Sequence, residues 1–275
     1  MNNFWRRFVV RRAGVSSAFF ILFLAILAVG APVLFPADPN KITDEVLTAP
    51  FKAHVLGTDE LGRDVLTGLV YGVRISLLVG FLAAFVATVF GSLVGAIAGY
   101  FGGVIDVVIM RFAETFQVVP GFILAVVIVA ISGPGLVTVV AVIALLSWPQ
   151  IARVLRGEVL RIKRLEYIDA VRCLGIPETK ILIGEVLPNA IAPVIAVGTL
   201  IIGEAILLEA ALSFLGLSSP EVVSWGKMLN SGQRFLFQAW WLSLLPGTAI
   251  FVTVLAFNLL GDAIGAALNP KLRDA

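Results

Sequence analysis

Apolar runs long enough to cross a bilayer dominate this chain, and lipid leaves few folds open to such runs. In hydrocarbon every backbone N–H and C=O must find its partner within the protein. A crossing helix needs roughly 17–25 mostly apolar residues. Six stretches qualify: 16–35, 75–99, 115–132, 136–153, 190–213 and 243–267. The fourth is short and contains Trp148-Pro149. The expected fold is an all-α polytopic membrane protein with about six transmembrane helices. Composition agrees, since 59% of the 275 residues are hydrophobic and only 14% are charged, with a mean hydropathy of +1.02. Soluble domains hold about 45–50% apolar and about 25% charged residues, which argues against a soluble protein with a large core.

The opening MNNFWRRFVVRRAG and the run behind it could be taken for a secretory signal. A signal core has about 7–15 apolar residues. The run from Val15 to Phe35 is longer and more spans follow, so it reads as an uncleaved first span. The expected organisation is a cytoplasmic segment 1–14 and one transmembrane domain over 15–275. Cys173 is the single cysteine, so no intrachain disulfide can form, and a net charge of +2 suggests no nucleic-acid partner.

Cytoplasmic loops carry an excess of Lys and Arg. With the N-terminus inside, the inner side holds Arg6, Arg7, Arg11, Arg12, Arg111, seven cations from Arg153 at the end of the fourth span to the start of the fifth, Lys271 and Arg273, fourteen in all. The outer side holds six: Lys41, Lys52, Arg63, Arg74, Lys227 and Arg234. Both termini are therefore expected in the cytoplasm, and the segment 154–189 becomes the longest inner loop.

On the outer side, Leu61, Val65, Leu66, Leu69 and Val73 recur at helical spacing. This predicts an interfacial amphipathic helix within about 54–74, leading into the second span. The outer stretch 214–242 is punctuated by Gly and Ser and ends in Trp240-Trp241, a pair expected at a membrane interface. Gly91, Gly95 and Gly99 form a small-residue ridge in the second span. Packing inside the subunit is the plainer reading of it, a dimer seam the sharper one.

The inner loop contains EYIDAVRCLGIPETKILIGEVLPN, residues 166–189, with charges of both signs. Tyr167, Ala170, Val171 and Leu174 make one apolar stripe, with Glu166, Asp169 and Arg172 opposite. Gly175 falls where a left-handed C-cap would sit. Pro177 and Glu178 suit the start of a second helix. Leu187-Pro188 is expected to end or kink that helix before the fifth span. Two readings are open at this point: a rigid knob for a partner, or an ordinary loop on the headgroups.

The spacing resembles the E-A-A-x3-G-x9-I-x-L-P motif in the membrane subunits of ABC importers, with Asp169-Ala170-Val171, Gly175, Glu185 and Leu187-Pro188 at the matching positions. HVLGTDELGRDVLTGLVYGVRISL, EAALSFLGLSSPEVVSWGKML and AFNLLGD are similar to signatures of the C-type dipeptide/oligopeptide permeases. The likeness runs from His54 to Pro270. Near its end the chain reads GDAIGAALNP where many members read GD-x-LRDxLDP, so Gly265, Ala266 and Asn269 replace charged residues.

The resemblance implies a type I ABC importer-like permease subunit in the bacterial cytoplasmic membrane. Its implied partners are a second related permease subunit, two ABC ATPase subunits that bind ATP and Mg, and an extracytoplasmic solute-binding protein. It also implies that Glu166, Asp169, Ala170, Val171, Arg172, Gly175, Pro177, Glu185, Leu187 and Pro188 couple the chain to an ATPase. Asp59, Gly62, Arg63 and Asp64 are the implied outer contacts for the binding protein. Dipeptides or oligopeptides are the implied solutes, with nickel chelates, glutathione-like peptides or another small solute as alternatives.

No G-x-x-x-x-G-K-[ST] phosphate loop and no His/Cys metal spacing occurs in the sequence, and its one histidine is His54. No catalytic residue, cofactor or metal is expected in this chain. A gradient-driven transporter would be expected to show repeated halves, which the sequence lacks, and an intramembrane enzyme lacks its catalytic sets. Glu204 and Glu209 are the candidates for the pathway, because an intramembrane carboxylate needs water or a partner. Interhelical hydrogen bonding is the competing role for both and for Asp262. Asp106 and Glu114 are expected to pair with Arg111.

Overall fold

The computed structural model describes residues 2–219 and 221–268. Asn269, Pro270, Lys271 and Arg273 lie outside the described residues. Helices α1 (Asn2–Val10) and α2 (Arg12–Leu34) open the chain. An outer segment leads into α3 (Val65–Phe101), followed by α4 (Gly103–Val118), α5 (Gly121–Ser132) and α6 (Leu136–Ile162). The inner segment holds α7 (Glu166–Cys173) and α8 (Glu178–Ile181), and a π-helical turn (Leu182–Val186) joins α8 to α9 (Leu187–Phe214). Helix α10 (Trp225–Gly232) follows, before α11 (Trp241–Leu268). The fold is all-helical. Among the described residues, five helical stretches are long and apolar enough to cross a membrane, or six if the bent pair α4–α5 counts as one.

Helix α3 is the central member, packed along α6 and α9, while α9 also packs on α11 and α11 on α2. Lipid is as apolar as leucine, so helix association here depends on close packing rather than on escape from water. The glycine ridge supplies that closeness. A Cβ on Gly95 would stand 2.4 Å from the Ala152 carbonyl oxygen, and Gly91 and Gly99 approach Ile151 and Val159 of the same helix. The ridge is thus a seam within the subunit. Below it, Ile151, Leu155, Val159, Ile201 and Phe257 are all buried in one apolar cluster.

The structure departs from the sequence expectations at four places. The stretch 115–132 is not one straight helix: α4 and α5 meet at 86°. Pro120 brings no N–H to a helix, and Val119 before it is extended at φ −86°, ψ 134°. The fourth span, expected to end near 153, runs on to Ile162 with Pro149 inside it. No separate interfacial helix occupies 54–74; residues 54–64 form a looped segment and α3 begins at Val65. Asp64 sets that start, its carboxylate accepting from the Thr67 N–H and hydroxyl at 2.8 and 2.7 Å. Finally, Pro188 does not end a helix. It sits in the first turn of α9, and the wider π turn before it relieves the clash a proline ring makes with the preceding turn.

Candidate functional site

Residues 163–189 build a bent elbow at one end of the bundle. Helix α7 carries Glu166 and Asp169 in its first turn, where acids meet the positive helix end. It stops because Gly175 turns left-handed at φ 74°, its N–H donating to the Arg172 carbonyl at 2.9 Å. A Cβ there would meet nothing within 4 Å, so conformation rather than space calls for glycine. Pro177, at φ −60° and ψ 141°, caps α8, and its carbonyl accepts from the Lys180 and Ile181 N–H groups.

The apolar stripe of α7 divides between two faces. Val171 turns inward beside Ile168, which is fully buried with Ile181, Leu182 and Val186 in the main core cluster. Tyr167, Ala170 and Leu174 point outward, and Leu174 is 77% exposed. With Ile176 they present an apolar surface that is exposed among the described residues. Glu166, Asp169, Glu185 and Pro188 are exposed around it, Arg172 is half-buried, and Leu187 packs against the core.

A polar node behind the elbow holds its bend. The Arg172 guanidinium donates to Asp169 at 2.8 Å and to Glu178 at 3.2 Å. The Tyr100 hydroxyl, at the end of α3, donates to the other Glu178 oxygen. Lys163, just past α6, donates to the carbonyls of Tyr100 and Gly99 at 2.6 and 3.4 Å and lies 5.8 Å from the Tyr100 ring centroid. Neither Tyr100 nor Lys163 stands out in the sequence, and Ile168 was masked by its polar neighbours. The contact of Tyr100 with Glu178 spans 78 residues, so no local pattern announces it.

The other singled-out residues are scattered. Asp59 accepts from the backbone N–H of Leu61 and Arg63, and Asp64 also meets His54 Nδ1 at 3.0 Å. Gly62 is buried at φ 71°, beneath Thr43. Arg63 lines a cavity of about 50 Å³ with Glu60 and Lys227. Burial first, and the nearby Arg63 charge second, pull the Lys227 ammonium below its usual pKa. Trp240 is half-exposed, but Trp241 is buried and donates to the Thr58 carbonyl at 3.3 Å, so it pins the outer segment rather than marking an interface.

Inside the bundle, Glu209 is buried and accepts from Ser213 Oγ at 2.6 Å and Ser76 Oγ at 3.3 Å, which ties α9 to α3. Glu204 faces out of the subunit with no hydrogen bond or ion pair among the described residues, and Asp262 of α11 is likewise exposed. Arg111 pairs with Glu114 at 3.0 Å as expected, whereas Asp106 pairs instead with Arg156 of α6, Oδ2 to Nη2 at 2.6 Å.

The family model described as "Binding-protein-dependent transport system inner membrane component" matches residues 91–274, and the N-terminal transmembrane domain of oligopeptide transport permease C matches residues 1–50. The chain belongs to this permease family. A glutathione transport system permease protein of Pectobacterium atrosepticum is 39% identical over 98% of this chain and 91% of its own length. A di/tripeptide transport system permease protein of Pseudomonas aeruginosa is 38% identical, covering 100% of this chain and 93% of that protein. A dipeptide transport system permease protein of Bacillus subtilis is 38% identical over 98% of this chain and 85% of that one. In fold, the permease superposes on a chain of the inward-facing MetNI methionine ABC transporter, with a TM-score of 0.60 over 74% of this chain and 97% of that chain, at 20% identity. This permease is a multi-pass inner-membrane subunit of an ABC transport system.

Proposed function

We propose that this permease forms half of an import pathway for dipeptides or oligopeptides and that the elbow is its power input. The observation that carries the reading is the uncovered apolar face of Tyr167, Ala170, Leu174 and Ile176 on a mount whose base is buried and whose bend is held by hydrogen bonds. Such a face suits a groove on an ATP-hydrolysing subunit. Two such subunits closing around ATP and Mg would push two elbows, this one and that of a second related permease. A binding protein would deliver solute to the opposite side, near Arg63 and the outer segment. The excess of fourteen cations over six supports an arrangement with both termini in the cytoplasm. The peptide reading rests on the di/tripeptide and dipeptide permeases that share 38% of the sequence.

A second reading within the same machine is import of glutathione-like peptides, favoured by the relative at 39% identity. The test is purification of the intact complex in lipid discs, with ATP turnover measured against loaded binding protein. Retention of an ATPase and a second permease chain, and stimulation by dipeptides, is expected. Solute carried by this chain alone, with no nucleotide-hydrolysing companion, sinks the reading. Stimulation by glutathione alone moves the solute to the second reading.

A further inference from the structure

Four helix ends converge at the elbow's polar node. The end of α3 meets Lys163 through the Tyr100 and Gly99 carbonyls; α6 ends in that lysine; α7 ends beside Arg172; α8 begins with Glu178. Cations thus face carbonyl ends and a carboxylate sits at an N–H end, the arrangement that helix dipoles favour. Helices α6 and α9 join the elbow by chain connectivity, leading directly into and out of it. The joint to α3 is made through space. Lys163 holds the α3 carbonyls, and the side-chain to side-chain hydrogen bond is the Tyr100 hydroxyl on Glu178.

Helix α3 also runs from the elbow to the far end of the bundle. Its 37 residues span about 55 Å at ~1.5 Å per residue. At its far end Asp64 caps it, the Val65 N–H donates to the Gly57 carbonyl, and Trp225 of α10 donates its indole N–H to the Leu69 carbonyl at 3.0 Å. The same helix therefore holds the elbow at one end and the outer segment at the other.

We propose that Tyr100 is a positioning residue that makes the elbow and α3 move as one body, so that a push on the elbow reaches the outer segment along α3. This rests on the coupling reading above, and the experiment separates the two. Tyr100→Phe deletes the hydroxyl and keeps the buried ring. In the assembled complex the variant keeps its ATPase subunits, while the ratio of ATP turnover with loaded binding protein to turnover without it falls toward one, and transport falls at least tenfold. Glu178→Gln, which still accepts from the hydroxyl, retains most of the stimulation; Glu178→Ala loses it. The Tyr100→Phe/Glu178→Ala double variant is no worse than Glu178→Ala alone, as expected when the hydroxyl acts through that one carboxylate.

Full stimulation in Tyr100→Phe overturns the proposal. Should that variant fail to assemble, the pair at position 178 decides, because equal loss in Gln and Ala assigns the effect to the Arg172 charge pair and rejects the Tyr100 joint. A wild-type complex that retains no ATPase overturns the coupling reading itself, and the inference with it.

Discussion

The outer segment and the inner elbow are both short, polar interruptions in an apolar chain, yet they are held in different ways. The outer segment is tied by hydrogen bonds within itself and to the bundle. Trp241 and Trp225 bury their rings and bond backbone carbonyls of the outer segment and of α3, the Thr58 hydroxyl donates to the Glu45 carbonyl, and Asp64 serves a cap and a histidine together. The elbow is anchored instead by the buried Ile168 cluster and the Arg172–Glu178 node. Both leave apolar side chains bare, but Phe51 and Val55 outside sit on loop, whereas Tyr167 and Leu174 are presented on a short helix and its cap.

Variants can break that contrast. The largest effect belongs to Trp241→Ala, which removes a large buried aromatic. It should cost about 3–5 kcal/mol, read as a fall in the thermal midpoint of the purified permease with the elbow's partner binding following stability. A midpoint within a degree of wild type would show that the outer segment is not pinned there. Next is Leu174→Glu at the exposed tip. Thermal stability should stay within about 0.5 kcal/mol, while ATPase retention on purification drops at least tenfold, the reverse of the first variant. Unchanged retention would move the docking face elsewhere.

Gly175→Ala tests the bend between tip and base. A left-handed conformation costs a residue with a Cβ about 1–2 kcal/mol. With open space around the position, the cost is conformational alone, and coupled ATP turnover should fall more than stability does. The smallest effect comes from Lys227. Its folded pKa lies below the ordinary value of 10.5 because burial disfavours the charge. The unfolded chain then binds more protons between the two values, so stability rises with pH across that window. Lys227→Met should flatten the rise in an alkaline denaturation series. A slope unchanged by the substitution would assign it to another group.

What could be read from the sequence was local or periodic. Gly175 is legible because a cap needs only its neighbours, and the glycine ridge because a four-residue period survives any packing. The spans are legible from length and polarity, and their interruptions less so. Pro120 and Pro149 both sit in apolar runs, yet one coincides with an 86° break and the other lies within an unbroken helix. Tertiary packing decides between them. The pairs Tyr100–Glu178 and Asp106–Arg156 were hidden for the same reason: each joins helices whose relative placement exists only after folding. Arg111 has an acid on either side in sequence, but its partner Glu114 is on the same helix face, while Asp106 faces α6.

The right angle between α4 and α5 has a consequence for the surrounding lipid. Twelve residues give α5 about 18 Å, little more than half of a ~30 Å hydrocarbon layer. Helix α4 follows α6, with Asp106 on Arg156 and, further along, Phe116 on Trp148, so α4 enters the apolar layer and α5 turns aside within it. Neither helix is long enough to cross alone, and Val104, Val108 and Phe112 stay bare on α4. Lipid therefore packs there against two part-length helices instead of one rod.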